Sequence, residues 1–161
     1  MNMENYTLEE KDSFTVLGIG TELTDYTSLA KDKSAFWKTV NQDGRLDTLK
    51  SIATNDYIFA VNEAVNNKMM HYAGVMTEAP ESVSALGETR IIQFPKGEYL
   101  VVKGEEKTVD ELNQKLEGIA FGQVLPEAEN FAYVGGPNTI AMMGKRNGLV
   151  FGEMWIPVVK K

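Results

Sequence analysis

The order of apolar runs along the chain predicts an α+β fold with an antiparallel sheet. Three observations carry that prediction. The series strand, helix, strand, strand occurs twice, and polar hairpin-type turns join the paired strands. The balance of 43% hydrophobic and 24% charged residues in 161 is that of a globular domain, not of a disordered, collagen-like or coiled-coil chain. One core is expected at this length, because either half alone would bury too little surface.

The first strand is read between Tyr6 and Leu23, where Phe14, Val16 and Leu17-Gly18-Ile19 bring together aromatic and β-branched residues. Asp25 or Thr27 offers a cap for a helix over 29–39. Leu29, Phe36, Trp37 and Val40 share its apolar face, and Lys and Asp take the others. Gly44 ends or bends that helix, and Leu46, Leu49 and Ile52 suggest a further short turn. The apolar stretches 57–65 and 69–77 flank Asn66-Asn67-Lys68, a hairpin connection.

Residues 78–88 are rich in turn formers and poor in aromatics, so they read as a linker between halves. The series then restarts. Ile91-Ile92 and 99–102 flank Pro95-Lys96-Gly97, and Thr108 with Glu111 forms a capping box that opens a helix over 108–116. The charged run 103–107 is expected to be a solvated turn entering that helix. Strands follow at 131–134, 139–143 and 149–159, the last two joined across Arg146-Asn147-Gly148. The organisation expected is one domain over 1–161, with half-units at about 5–78 and 88–160 and a linker at about 79–87.

Composition excludes several chemistries. The absence of cysteine removes disulfides, zinc–thiolate sites, iron–sulfur clusters and thiol nucleophiles, and one histidine makes an imidazole metal cluster or a serine triad hard to assemble. Neither a metal nor a cofactor is expected. A formal charge of -7 repels phosphate backbones, so direct nucleic-acid binding is not expected, although the same field favours cations. With no long apolar run and no signal-peptide pattern, the expectation is a cytoplasmic protein without membrane attachment. Gly18-Ile19-Gly20 and Gly135-Gly136-Pro137 lack the context of a nucleotide-binding loop.

The last strand carries the most chemical information. Alternation places Leu149, Phe151, Glu153 and Trp155 on one face and Val150, Gly152, Met154 and Ile156 on the other, so both faces are apolar and Glu153 falls between two aromatic rings. A carboxylate there needs an internal cation, hydroxyl donors or a cationic ligand. The plainer reading is an edge-strand acid that deters edge pairing, with Pro157 nearby. Trp37, Tyr57, Tyr72 and Tyr99 can supply π faces and hydroxyls around a guest, and the pairs Met69-Met70 and Met142-Met143 offer adaptable thioethers. His71, facing away from Tyr72, reads as a hydrogen-bonded residue and not as a metal ligand.

Six short motifs follow one another along the chain: Phe14-Thr-Val-Leu-Gly18-Ile19, Phe36-Trp37, Tyr72-Ala-Gly74-Val75, Phe94-Pro-Lys-Gly97-Glu-Tyr99, Val124-Leu-Pro126 and Glu153-Met-Trp-Ile-Pro-Val158. In that order they resemble the GyrI-like or AraC-type effector-binding family over nearly the whole chain. The resemblance implies a pseudo-twofold duplication of β-α-β-β units, with helices on one side of the sheet and a cleft for bulky, often cationic aromatic compounds on the other. It assigns Glu153 as the cleft acid; Trp155, Tyr72, Trp37, Tyr99, Phe151 and Met142 are the further candidates for contact with a ligand. One motif departs from the family: Ile140 and Met142 stand where an acid and a tyrosine are common, which makes the cleft more apolar. The first strand begins near Tyr6, so a stand-alone member is expected.

Three functions compete. The leading one is non-enzymatic binding of bulky hydrophobic small molecules, aromatic cations among them, in a central cleft, for sensing or sequestration. A second is hydrolysis of electrophilic polycyclic compounds by Glu153 with Tyr72 or Tyr99. The third is docking on a protein partner such as a gyrase or a regulator, with the acidic surface mimicking phosphate.

Overall fold

The computed structural model describes residues 6–24, 27, 29–78 and 89–161; the expected linker at 79–87 and the candidate cap Asp25 lie outside these. In chain order the elements are β1 (Tyr6–Lys11), β2 (Phe14–Glu22), α1 (Leu29–Gln42), α2 (Arg45–Lys50), β3 (Ile58–Val65) and β4 (Lys68–Met76). They continue with β5 (Arg90–Phe94), β6 (Gly97–Glu106), α3 (Val109–Ile119), β7 (Phe131–Tyr133), β8 (Asn138–Arg146) and β9 (Leu149–Lys160). The two expected helices, the capped second helix and both hairpins are present. Thr108 Oγ1 accepts from the Glu111 N–H at 3.1 Å, and the turns Asn66-Asn67 and Asn147-Gly148 take the left-handed backbone that a two-residue hairpin requires, with φ of 52°, 65°, 55° and 78°.

The strands form one antiparallel sheet in the order β1-β6-β9-β8-β3-β4-β2-β5, with β7 added on β9. Exchanging β1 with β5, β2 with β6, β3 with β8 and β4 with β9 returns that order reversed. A pseudo-twofold axis therefore passes between β3 and β8, near the pair Ala60↔Ile140.

The sequence predicts one strand between Tyr6 and Leu23, and the structure has two. Asp12-Ser13 breaks the run, β1 pairs with β6 of the second half, and β2 pairs with β5, whose own continuation is β6. The register Tyr6↔Val102 to Lys11↔Gly97 continues in step as Phe14↔Phe94 to Gly18↔Arg90. Residues 6–22 and 90–106 are thus one long ribbon, bent in the middle, with each end stitched to a different half. The charged residues Lys103 to Glu106 are part of this ribbon and pair with Glu153 to Val150, because a strand with one partly solvated face accommodates alternating charges; the turn expected there is shorter.

Each face of the sheet has its own core. On one, Leu17, Ile19, Ala73, Val75, Leu100, Val102, Ile140, Met154 and Ile156 meet Trp37 and Val40 of α1, Leu46 and Leu49 of α2, and Leu112 and Leu116 of α3. On the other, Val16, Phe59, Val61, Tyr72, Ile92, Phe94, Tyr99, Val101, Ala141 and Trp155 pack together where the sheet curls on itself. Among the described residues no helix is long and apolar enough to cross a membrane.

Candidate functional site

Glu153 lies in the interior of the sheet, paired with Lys103 on β6 and Ala141 on β8, so the edge-strand reading is overturned. It is half-buried, and its Oε1 accepts from Trp155 Nε1 at 2.9 Å. Around it is a groove of about 430 Å³ bounded by Lys103, Glu105, Met143, Arg146, Phe151 and Glu153. Arg146 lies 4.4 Å over the Phe151 ring and 3.5 Å from a Glu105 oxygen. Two acids and two bases share this groove.

Trp155 is buried, with Phe14 and Phe59 each 5.6 Å away between ring centroids and Lys11 Nζ 4.0 Å above its ring. Tyr99 is fully buried beside Phe14 and donates its hydroxyl to the Pro95 carbonyl at 2.6 Å; burial pushes its pKa up to about 12. Both residues pack against Phe14, next to the bend of the ribbon.

Tyr72 lies on the same face in the other half. A Cβ at Gly20 would come within 2.5 Å of the Tyr72 ring, so glycine at Gly20 is what lets the ring lie flat on β2. Burial first, and then the Glu63 carboxylate, raises the Tyr72 pKa; Glu63 in turn holds Arg90 in a two-pronged ion pair at 2.7 and 3.2 Å. By strand register Tyr72 occupies the position related to Glu153 by the pseudo-twofold. The strands carrying them are separated by β8 and β3, about three strand spacings or roughly 14 Å along the sheet. Glu153 and Tyr72 are therefore not set as an acid–base pair.

Met142 projects from the opposite face of the sheet, towards the helices, and Trp37 of α1 packs against that same face. This separates them from Glu153 because Met142 and Ala141 alternate on β8, and because a bulge between Met142 and Gly144 puts Met143 in the Glu153 groove instead. Trp37 Nε1 donates to His71 Nε2 at 2.9 Å. An indole nitrogen is only a donor, so the neutral imidazole carries its proton on Nδ1 and gives it to Asn62 Oδ1 at 2.9 Å. Asn62 Nδ2 then donates to Asn138 Oδ1 at 3.0 Å, Asn138 Nδ2 donates to the Tyr133 hydroxyl at 3.2 Å, and Tyr133 donates to the Gly136 carbonyl. Burial, with a smaller contribution from Lys33, lowers the His71 pKa to about 3.

That one-way chain underlies a hollow on the helix side, at the junction of the two halves. It is about 330 Å³, with Leu23, Leu29 and Met69 on one side, Phe121 and Tyr133 on the other, and Asn62 and Asn138 in its floor. Phe121 is 39% exposed and meets Tyr133 edge-on with centroids 5.8 Å apart, so an aromatic surface is open to a guest. A second hollow of about 210 Å³ adjoins it between α1 and α3. Lys33 and Glu117 line both, and their ion pair at 3.2 Å links the helices across the junction.

The structure therefore groups Glu153, Phe151 and Trp155 together, puts Tyr72 elsewhere on that face, closes Tyr99 into the core, and carries Trp37 and Met142 to the helix side. Lys33, Asn113, Glu117, Phe121 and Tyr133, which line the helix-side hollows, are not among the residues that the sequence marks as site candidates. A signal was present in the i, i+4 spacing of Lys33 with Trp37 and of Asn113 with Glu117, which puts polar side chains on the apolar side of each helix. Among the described residues no cluster of three or more metal-ligating side chains occurs.

The profile of a family described as integron-associated effector binding proteins matches residues 7–158. Among solved structures the chain is similar to SAV2435 bound to tetraphenylphosphonium, at 18% identity and TM-score 0.76, covering 96% of this chain and 93% of that one. A bacterial transcription regulation protein of Staphylococcus aureus is also 18% identical, with TM-score 0.73 and coverage of 95% and 97%. An integron cassette protein from the mobile metagenome of Vibrio cholerae is 11% identical, with TM-score 0.69 and 97% of each chain covered. No curated protein matches the sequence significantly.

Proposed function

This chain belongs to the family of integron-associated effector binding proteins and has the GyrI-like effector-binding fold, and on that premise we propose that it binds bulky aromatic small molecules, cations included, in the helix-side cleft. The observation that carries the proposal is the make-up of the cleft. It lies where both halves meet, it exposes Phe121 beside Tyr133, Met69 and Leu29, and its rim carries the Glu63 and Glu117 carboxylates, paired with Arg90 and Lys33. Aromatic edges and thioethers give dispersion to varied apolar shapes, and the acids favour a delocalised positive charge. The tetraphenylphosphonium held by a relative of the same fold supports this ligand class. Capture of such compounds serves sensing or sequestration.

A second location rests on Glu153, whose carboxylate meets the Trp155 indole between apolar residues. Its groove is also lined by Lys103 and Arg146, which oppose a cation.

Titration calorimetry with tetraphenylphosphonium separates the two locations. In the cleft, Phe121→Ala and Glu117→Gln each weaken binding by about fivefold or more, while Glu153→Gln changes it by less than about twofold. The reverse pattern moves the site to the Glu153 groove. No heat and no thermal stabilisation with any aromatic cation would sink the small-molecule reading.

A further inference from the structure

The smaller hollow between α1 and α3 has a polarity that the aromatic cleft alone does not explain. Asn113 lines it one helical turn before Glu117, and its Oδ1 is buried without a hydrogen-bond partner in the protein. A buried carboxamide oxygen left without a donor is a net cost to folding, so it needs a reason. Its surroundings accept hydrogen bonds too. Glu117 and Asp110 stand on the same helix, and Asp110 Oδ2 already takes the Ser34 hydroxyl at 2.8 Å. Trp37 closes the far side, with its N–H committed to His71.

The nearby cation, Lys33, is loosely held. Its Nζ is 3.2 and 3.5 Å from the two Glu117 oxygens, longer than the 2.7–2.9 Å usual for a charge-assisted bond.

We propose that Asn113 Oδ1 and the Glu117 carboxylate are paired acceptors for the N–H of a protonated amine on an aromatic ligand, and that Lys33 occupies Glu117 until that amine replaces it. This rests on the helix-side cleft being the ligand site, and it adds a chemical class. The ligand head is a primary, secondary or tertiary ammonium. A quaternary ammonium or a phosphonium brings charge but no donor, and leaves Asn113 unpaired. An anion meets the Asp110 and Glu117 carboxylates in this hollow, where the cation Lys33 is already paired with Glu117.

The test compares N,N-dimethyl-1-naphthylmethylamine, protonated at neutral pH, with its trimethylammonium salt by calorimetry. Wild type binds the amine about tenfold more tightly. Asn113→Leu keeps the volume and removes the buried oxygen, so the variant unfolds at no lower temperature, binds the quaternary salt as wild type does, and loses the preference for the amine. Lys33→Met removes the competing ammonium and tightens the amine several-fold. Equal affinities in wild type, or a preference that survives Asn113→Leu, would overturn the subsite and leave the aromatic cleft standing. If neither compound binds nor competes with tetraphenylphosphonium, the cleft and the subsite both fall.

Discussion

Acid titration of His71 is the sharpest probe of the buried chain that joins the halves. The imidazole is 1% exposed, accepts from Trp37 and donates through Nδ1 to Asn62, and its pKa is depressed to about 3. In the unfolded chain it returns to an ordinary value of about 6.5. Between those values the unfolded state binds the extra proton, so this residue's contribution to stability is complete above about pH 6.5 and is lost as pH falls towards 3. The slope is about 1.4 kcal/mol per pH unit, so a fall from pH 6.5 to 4.5 removes about 3 kcal/mol, and roughly 5 kcal/mol is removed over the whole window. Protonation would also turn Nε2 into a donor facing the Trp37 N–H, which breaks the chain at its start. Urea unfolding of wild type and His71→Gln from pH 7 to 4.5 measures the effect, since glutamine keeps an acceptor and a donor but does not titrate in this range. The gap in unfolding free energy between the proteins should change by about 3 kcal/mol over that range, with wild type the more acid-sensitive. A gap independent of pH, or an imidazole whose NMR shifts titrate near pH 6, would refute the argument.

Other perturbations test the fold locally. Gly152→Ala places a Cβ against the Ala141 carbonyl, where backbone cannot give way, and should cost about 2–4 kcal/mol in urea unfolding. Gly20→Ala drives a methyl group into the Tyr72 ring and should cost about 1–3 kcal/mol, with a change in tyrosine near-UV circular dichroism reporting the displaced ring. Thr108→Ala removes the cap on the Glu111 N–H and should lower stability by about 1 kcal/mol, or a few degrees in melting temperature. A fall of under about 0.3 kcal/mol in that variant would show the cap to be replaced by water.

Much of this protein is written locally. Asn147-Gly148 and Asn66-Asn67 set both hairpins because a two-residue turn needs left-handed backbone, and Thr108 with Glu111 starts α3 because its first amides need an acceptor. The alternation of β9 correctly separated Met154 from Glu153, since side chains on any strand alternate. Long-range pairing was not legible. Nothing between Tyr6 and Lys11 says that β1 joins β6 rather than β4, a choice made by register across some 90 residues. Which face Trp37 shares with Met142 also depended on that pairing, and on a bulge that displaces Met143. The cleft itself exists because α1 and α3, distant in sequence, meet across the pseudo-twofold; only their packing brings Lys33 to Glu117 and leaves the Asn113 Oδ1 buried. Sequence determined the elements through interactions a few residues long, and tertiary structure decided the site because its walls come from opposite halves of the chain.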